Sequence, residues 1–244
     1  MNYQNLTKKI HPEWKPFFDQ TKDEIEEILE KVKLSKEKGN NIFPKKKNIF
    51  KTFKYFGPKD LKVVILGQDP YIGSEVVDGK KKPQAVGLSF SVPKSHKKLP
   101  PSLKNIYKEL KNCYPNFEYS NGSLIKWVKK EKIMLLNAAL TVVEKKSGSH
   151  LSFWENWTDQ VMEYISEPLI KDIGPYHSFK KISKSRRIDH KNNAKIFIDQ
   201  FDDEEFQLGQ IVFRKSLIDA FPTGNNICND YVLFQRIAMT ASTF

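Results

Sequence analysis

The densest concentration of functional groups in the chain is Gly67-Gln68-Asp69-Pro70-Tyr71. A glycine that tolerates close backbone approach is followed by an amide, a carboxylate, a rigid proline and an aromatic ring. Hydrogen bonding, negative charge and an aromatic face are thus packed into five positions. An Asp-Pro turn is unremarkable on its own. Three further segments, in order, change its weight. Ala85-Val86-Gly87-Leu88-Ser89-Phe90 brings an aromatic ring after a glycine. Leu99-Pro100-Pro101-Ser102-Leu103 is a stiff loop opening a helix. Leu135-Leu136-Asn137-Ala138-Ala139 places a second amide just after an apolar run.

These groups need elements to hold them. Lys62-Val63-Val64-Ile65-Leu66 and Ile133-Met134-Leu135-Leu136 are short, continuous aliphatic runs, the pattern of strands buried on both faces. Leu103, Ile106, Tyr107 and Leu110 mark one face of a helix with Ser102 as its expected N-cap. Trp154, Trp157, Val161 and Ile165 mark another helix. Ile25, Ile28, Leu29 and Val32 mark a third, which opens the ordered part behind an expected Thr21–Glu24 capping box. Lys33 to Lys47 reads as a solvated connector. Strand, helix, strand, helix predicts an α/β fold, three-layered around a central, mostly parallel sheet. In such sheets ligands bind beyond the carboxyl ends of the strands, where Gln68, Asp69 and Asn137 fall. Residues 1–166 read as the core. Residues 167–244 form an atypical C-terminal region packed on the same domain, with Ile211-Val212-Phe213 and Tyr231-Val232-Leu233-Phe234 as further strands.

Composition narrows the function classes. At 244 residues with 39% hydrophobic content the chain can bury a core, which excludes a disordered protein. No apolar run approaches the roughly 20 residues of a membrane span, so no membrane partner is expected. Met1–Lys9 lacks the apolar centre of a secretion signal, and Cys113 and Cys228 alone make neither a disulfide framework nor a zinc site. The expectation is an intracellular monomer with no metal and no cofactor; nucleus and cytoplasm are not distinguished. A formal charge of +12 favours a polyanionic partner, of which nucleic acid is the commonest inside cells.

Taken in order, these motifs resemble the uracil-DNA glycosylases of the main uracil-excising family, from about Ile42 to Ser166. Ile42-Phe43-Pro44, Ile49-Phe50-Lys51-Thr52-Phe53, Gly148-Ser149-His150 and Trp154-Glu155-Asn156-Trp157-Thr158-Asp159 belong to the same likeness. The resemblance implies hydrolysis of the N-glycosidic bond of a deoxyuridine flipped out of DNA. It implies that Asp69 stabilises the sugar cation and orients water, and that Gln68 contacts the uracil carbonyl edge. Tyr71 would exclude the thymine methyl, Phe90 would stack on the base, and Asn137 would read N3–H and O4. Pro100, Pro101 and Ser102 match the loop that presses on the DNA backbone. His150 matches a structural histidine, and Trp154 and Trp157 are core residues.

The likeness stops near Ser166. The family continues with a Trp-Gly strand end, a Gly-Ser phosphate loop, and a His-Pro-Ser loop with a wedging leucine. No histidine in this sequence is followed by Pro-Ser; Tyr176-His177-Ser178-Phe179 and His190 are the nearest strings. Ile72 also stands where the family usually has histidine. The alternative expectation is therefore a catalytically impaired relative that binds DNA as a scaffold.

Overall fold

The computed structural model describes residues 2–173 and 210–213, and for Cys113 and residues 166–173 and 210–213 the backbone alone. In chain order the elements are α1 (Tyr3–Thr7), α2 (Lys15–Gln20), α3 (Lys22–Glu37), β1 (Ile42–Phe43), β2 (Val63–Gly67), β3 (Ser74–Val77), β4 (Lys80–Pro83), α4 (Pro101–Cys113), α5 (Ile125–Glu131), β5 (Ile133–Asn137), β6 (Val142–Val143), α6 (Leu151–Ile173) and β7 (Gln210–Phe213). Single 3-10 turns lie at Pro12–Trp14, Lys46–Asn48, Lys51–Lys54 and Pro58–Asp60.

Two aliphatic runs make the centre of the sheet, as their composition predicts. β2 and β5 pair in parallel, from Val63 opposite Ile133 to Gly67 opposite Asn137. Consecutive residues of both strands are buried, so both faces of the pair are covered, as an α/β architecture requires. β7 borders β2 on its other side and runs antiparallel. The expected mostly parallel sheet is therefore mixed among the described residues, one parallel and one antiparallel pairing. The strand expected at Ile211–Phe213 is β7; Tyr231–Phe234 and Cys228 lie outside the described residues.

The helical stripes bury as their spacing dictates. Ile25, Ile28, Leu29 and Val32 of α3 and Trp154, Trp157, Val161 and Ile165 of α6 are all buried. They meet an aromatic cluster from the N-terminal segments. Phe18 lies edge-on to Trp157 at 5.6 Å, and Phe50 edge-on to Trp154 at 6.0 Å. Such pairs contribute about 0.5–1.5 kcal/mol each beyond their buried area. The buried indoles are satisfied: Trp154 Nε1–H donates to Thr141 Oγ1 at 2.7 Å and Trp157 Nε1–H to Thr21 Oγ1 at 3.0 Å.

Four local expectations are corrected. α1 and α2 precede the helix that was expected to open the ordered part, and α3 with β1 occupies much of the stretch expected as a solvated connector. Thr21 makes no cap bond: the chain enters α3 directly from α2, and the Thr21 hydroxyl donates to the Phe17 carbonyl at 2.9 Å while accepting from Trp157. Without an extended N-cap backbone the capping box cannot close. Ser102 is not the N-cap of α4 either. Pro100 takes that place, and the Ser102 hydroxyl turns to Tyr71.

Candidate active site

The site is assembled at the carboxyl ends of β2 and β5. Gly67 and Asn137 are register partners on the last rung of the parallel pair. Beyond it the two chains stay together, because Ala138 N–H donates to the Gly67 carbonyl and Ala139 N–H to the Gln68 carbonyl, both at 2.8 Å. Gly67 has to be glycine here. A Cβ at that position would sit 2.5 Å from Asn137 Oδ1, 3.2 Å from Ser89 Cβ and 3.5 Å from the Phe90 ring.

Ser89 is the peg that sets the aromatic wall. It is 1% exposed, its N–H donates to the Leu135 carbonyl at 3.2 Å, and its hydroxyl donates to the Ile65 carbonyl at 3.1 Å. Pinned to both strands, the chain carries Phe90 in the left-handed region at φ 59°. That conformation costs a non-glycine residue about 1–2 kcal/mol. The result is a ring turned toward Gly67. Gly87, at φ 76°, brings the preceding loop against the Asn48 carbonyl, where any Cβ would collide.

A cleft open to solvent occupies this corner, with about 340 Å³ of space when the solvent at its mouth is included, its walls including Gln68, Asp69, Tyr71, Phe90 and Asn137. The five residues that the motifs single out for substrate thus share one cavity. Asp69 is held from the opposite side by a turn after β6. Its Oδ2 accepts from Gly148 N–H at 2.6 Å, and its two oxygens lie 3.0 and 3.3 Å from the Ser147 hydroxyl, which donates to them. Burial raises the Asp69 carboxyl above its ordinary pKa, while the Gly148 and Ser147 donors pull it back down. Tyr71 shares a 2.7 Å hydrogen bond with the Ser102 hydroxyl, and its phenol is pushed well above the usual range, chiefly by burial. This bond ties the start of α4 to the cavity wall, with Pro100 buried and Pro101 exposed beside it.

The two residues flagged as peripheral have structural roles. His150 is 2% exposed, with Nδ1 2.9 Å from Thr141 Oγ1 and Nε2 3.1 Å from Ser35 Oγ, and burial lowers its pKa. It braces α3 against the turn that carries Gly148. Ile72 packs on a small apolar cluster of Phe43, Ala85 and Val142. His177 and His190 lie outside the described residues, and no grouping of potential metal ligands exists among the described ones.

No family model matches the chain. It is 46% identical over 155 residues to the uracil-DNA glycosylase of Francisella tularensis subsp. tularensis, which covers 63% of each chain. It is 42% identical over 154 residues to that of Haemophilus influenzae, covering 62% of this chain and 63% of the relative. The crystal structure of mimivirus uracil-DNA glycosylase superposes with a TM-score of 0.60 at 34% identity, over 67% of this chain and 59% of that one. Over this stretch the chain is related to the uracil-DNA glycosylases, and it has their fold. It spans 63% of the length of the curated relatives it matches.

What the sequence missed in this glycosylase-like site is the pair that holds the carboxylate, Ser147 and Gly148. Gly148 stands in the Gly148-Ser149-His150 string but carries no assigned role there, and Ser147 lies just outside it. The available signal was the glycine, which adopts φ 71° to turn its N–H onto Asp69.

Proposed function

We propose that this chain is a uracil-DNA glycosylase, hydrolysing the N-glycosidic bond of a deoxyuridine flipped from DNA and so initiating base-excision repair. The observation that carries this reading is the single cavity shared by Asp69, Phe90, Asn137, Gln68 and Tyr71 at the ends of two parallel strands.

The geometry suits the chemistry. A flipped base is planar, has two apolar faces and a rim of donors and acceptors. Phe90 offers a face held by strained backbone, so stacking requires no ordering of the ring at the moment of binding. Asn137, 6% exposed, offers an amide as donor and acceptor to the base edge. Cytosine presents the opposite pattern there, and a mismatch would strand buried polar groups. Tyr71, fixed by Ser102, stands as the wall that a 5-methyl group would strike.

As the bond to the base breaks, positive charge develops on the sugar and negative charge on the departing base. Asp69 is the carboxylate positioned for the cation. Its desolvation makes its charge costly in the empty cavity, and a developing cation relieves that cost in the transition state more than in the ground state. The Gly148 and Ser147 donors favour its charged form against burial and aim it, so that it can orient water toward the sugar. The bond is cut by hydrolysis, with one water entering the products, and none of these steps calls on a metal or cofactor.

The test is uracil release from a single-stranded, uracil-containing oligonucleotide. The full chain is expected to release it, and Asp69→Asn, nearly isosteric but without the charge, is expected to abolish release. A full chain that binds DNA and releases no uracil refutes the proposal.

A further inference from the structure

The β3–β4 hairpin leaves the cavity wall and returns to it: Tyr71 precedes it and Ala85 follows it, and both line the cavity. It is built to be rigid. Asp78 and Gly79 adopt φ 53° and 68°, the paired left-handed turn that matches strand twist. Pairing runs from Ser74 opposite Pro83 to Val77 opposite Lys80.

Both faces of this hairpin are docked. On one, Ser74 donates to Glu144 Oε1 at 3.0 Å and Lys81 pairs with the same oxygen at 2.7 Å. Asn41 completes that hub, and Lys81 and Asn41 together hold the Glu144 carboxyl down at about 2. On the other face, Glu75 accepts from Lys97 N–H at 3.3 Å and the Lys82 carbonyl lies 3.3 Å from His96 Nε2. Side chains alternate along a strand, so Lys80 shares the face of Glu75 and Lys82, turned to the Lys94–Lys98 segment.

The charges on that side do not cancel. Lys82 is paired with Asp78. Lys80, Lys94, Lys97 and Lys98 are exposed, and among the described residues their ammonium groups form no ion pair, Glu75 meeting Lys97 only at its backbone N–H. The chain then runs directly from Lys98 into Pro100-Pro101-Ser102, whose hydroxyl bonds Tyr71 in the cavity. A docked hairpin that the cavity wall carries and the turn leading to Pro100 therefore present unneutralised ammonium groups on one side. A solvated lysine face needs no such anchoring.

We propose that the β3–β4 hairpin and the Lys94–Lys98 turn form a rim that grips backbone phosphates of the DNA strand entering the cavity, with Lys80 and Lys97 as its central contacts. This deepens the glycosylase reading and rests on it for the identity of the polyanion. The rim fixes where the strand lies, while the cavity reads the base.

The test measures binding of the full chain to a uracil-free single-stranded oligonucleotide by fluorescence anisotropy as salt is raised. Each phosphate contact contributes about 0.7 to the slope of log affinity against log salt, so Lys80→Gln with Lys97→Gln should lower it by about 1.4. At about 0.1 M salt that corresponds to roughly 25-fold weaker binding. Lys15→Gln with Lys22→Gln removes the same charge from α2 and α3 and should leave the slope unchanged. An unaltered slope in the rim pair, an equal fall in the α2–α3 pair, or no DNA binding by the full chain overturns the inference. Uracil release is scored on the same preparations. Rim-dependent binding without release sustains this inference and refutes the glycosylase reading; release with an unaltered slope does the reverse.

Discussion

Gly67 offers a sharp test of how the cavity is built, because the perturbation is one methyl group. In Gly67→Ala the new Cβ would stand 2.5 Å from Asn137 Oδ1, where ordinary contact begins near 3.4 Å. The Asn137 amide must then retreat by about 0.9 Å. Its backbone is held at the end of β5, a strand with no exposed residue, so the amide can retreat only into the cavity that it lines. Displacing a positioning group by about 1 Å costs on the order of 10²-fold in rate. Overpacking costs about 1–3 kcal/mol in a well-packed core and less beside an open cavity, so the variant should fold with a modestly lowered Tm. The assay is kcat/KM for uracil release, with circular dichroism establishing the fold. A double variant isolates the route: in an Asn137→Ala background the added methyl meets no amide and keeps only the milder 3.2 Å approach to Ser89 Cβ, so it should cost less than in the parent, the non-additivity expected of groups in contact. A folded Gly67→Ala enzyme with undiminished kcat/KM, or full additivity with Asn137→Ala, refutes the claim that Gly67 is there to admit the amide.

Two further outcomes concern protons. Ser147→Ala removes one of the donors that offset the burial of Asp69, so the carboxyl should rise further and the acid limb of the pH–rate profile should move to higher pH, with activity recovering toward neutrality; an unmoved limb contradicts the assigned role. His150 has its pKa lowered by burial, so the unfolded chain binds the extra proton first, below about pH 6.5. Stability is therefore fully present above that pH and is lost progressively as pH falls toward the folded value, by up to about 1.4 kcal/mol per pH unit. Urea unfolding of His150→Gln should show a shallower dependence in that window, and equal slopes would place the titration elsewhere.

The parts of the fold legible in the sequence are those written in continuous local pattern. β2 and β5 could be read because aliphatic runs ending at Gly67 and Asn137 have few other uses, and α6 because Trp154, Trp157, Val161 and Ile165 keep helical spacing. Thr21 was misread because its residue type favours a cap, yet the partner that claims its hydroxyl, Trp157, lies 136 residues away. Ser102 was misread for the same reason, its hydroxyl being claimed by Tyr71. The β3–β4 hairpin carried a turn signal in Asp78-Gly79, but Lys80-Lys81-Lys82 hides the alternation that normally marks a strand. Local pattern reports what a segment can form and is silent on distant side chains that compete for its polar groups.

That silence explains why the carboxylate was legible and its supports were not. Asp69 announces itself by its place after a buried strand. Ser147 and Gly148 reach it only because β6, pairing with β1, and the His150 contact with Ser35 fold the intervening turn back over the strand end. A carboxylate buried without those donors would be driven toward its neutral form, unable to stabilise a cation. The turn thus supports the proposed chemistry through Asp69, whose carboxylate both Ser147 and Gly148 hold. The same turn carries Glu144, the hub on which the hairpin docks. One short segment therefore holds both the Asp69 carboxylate and the seat of the proposed rim, and a change in it should be felt in uracil release and in DNA affinity together.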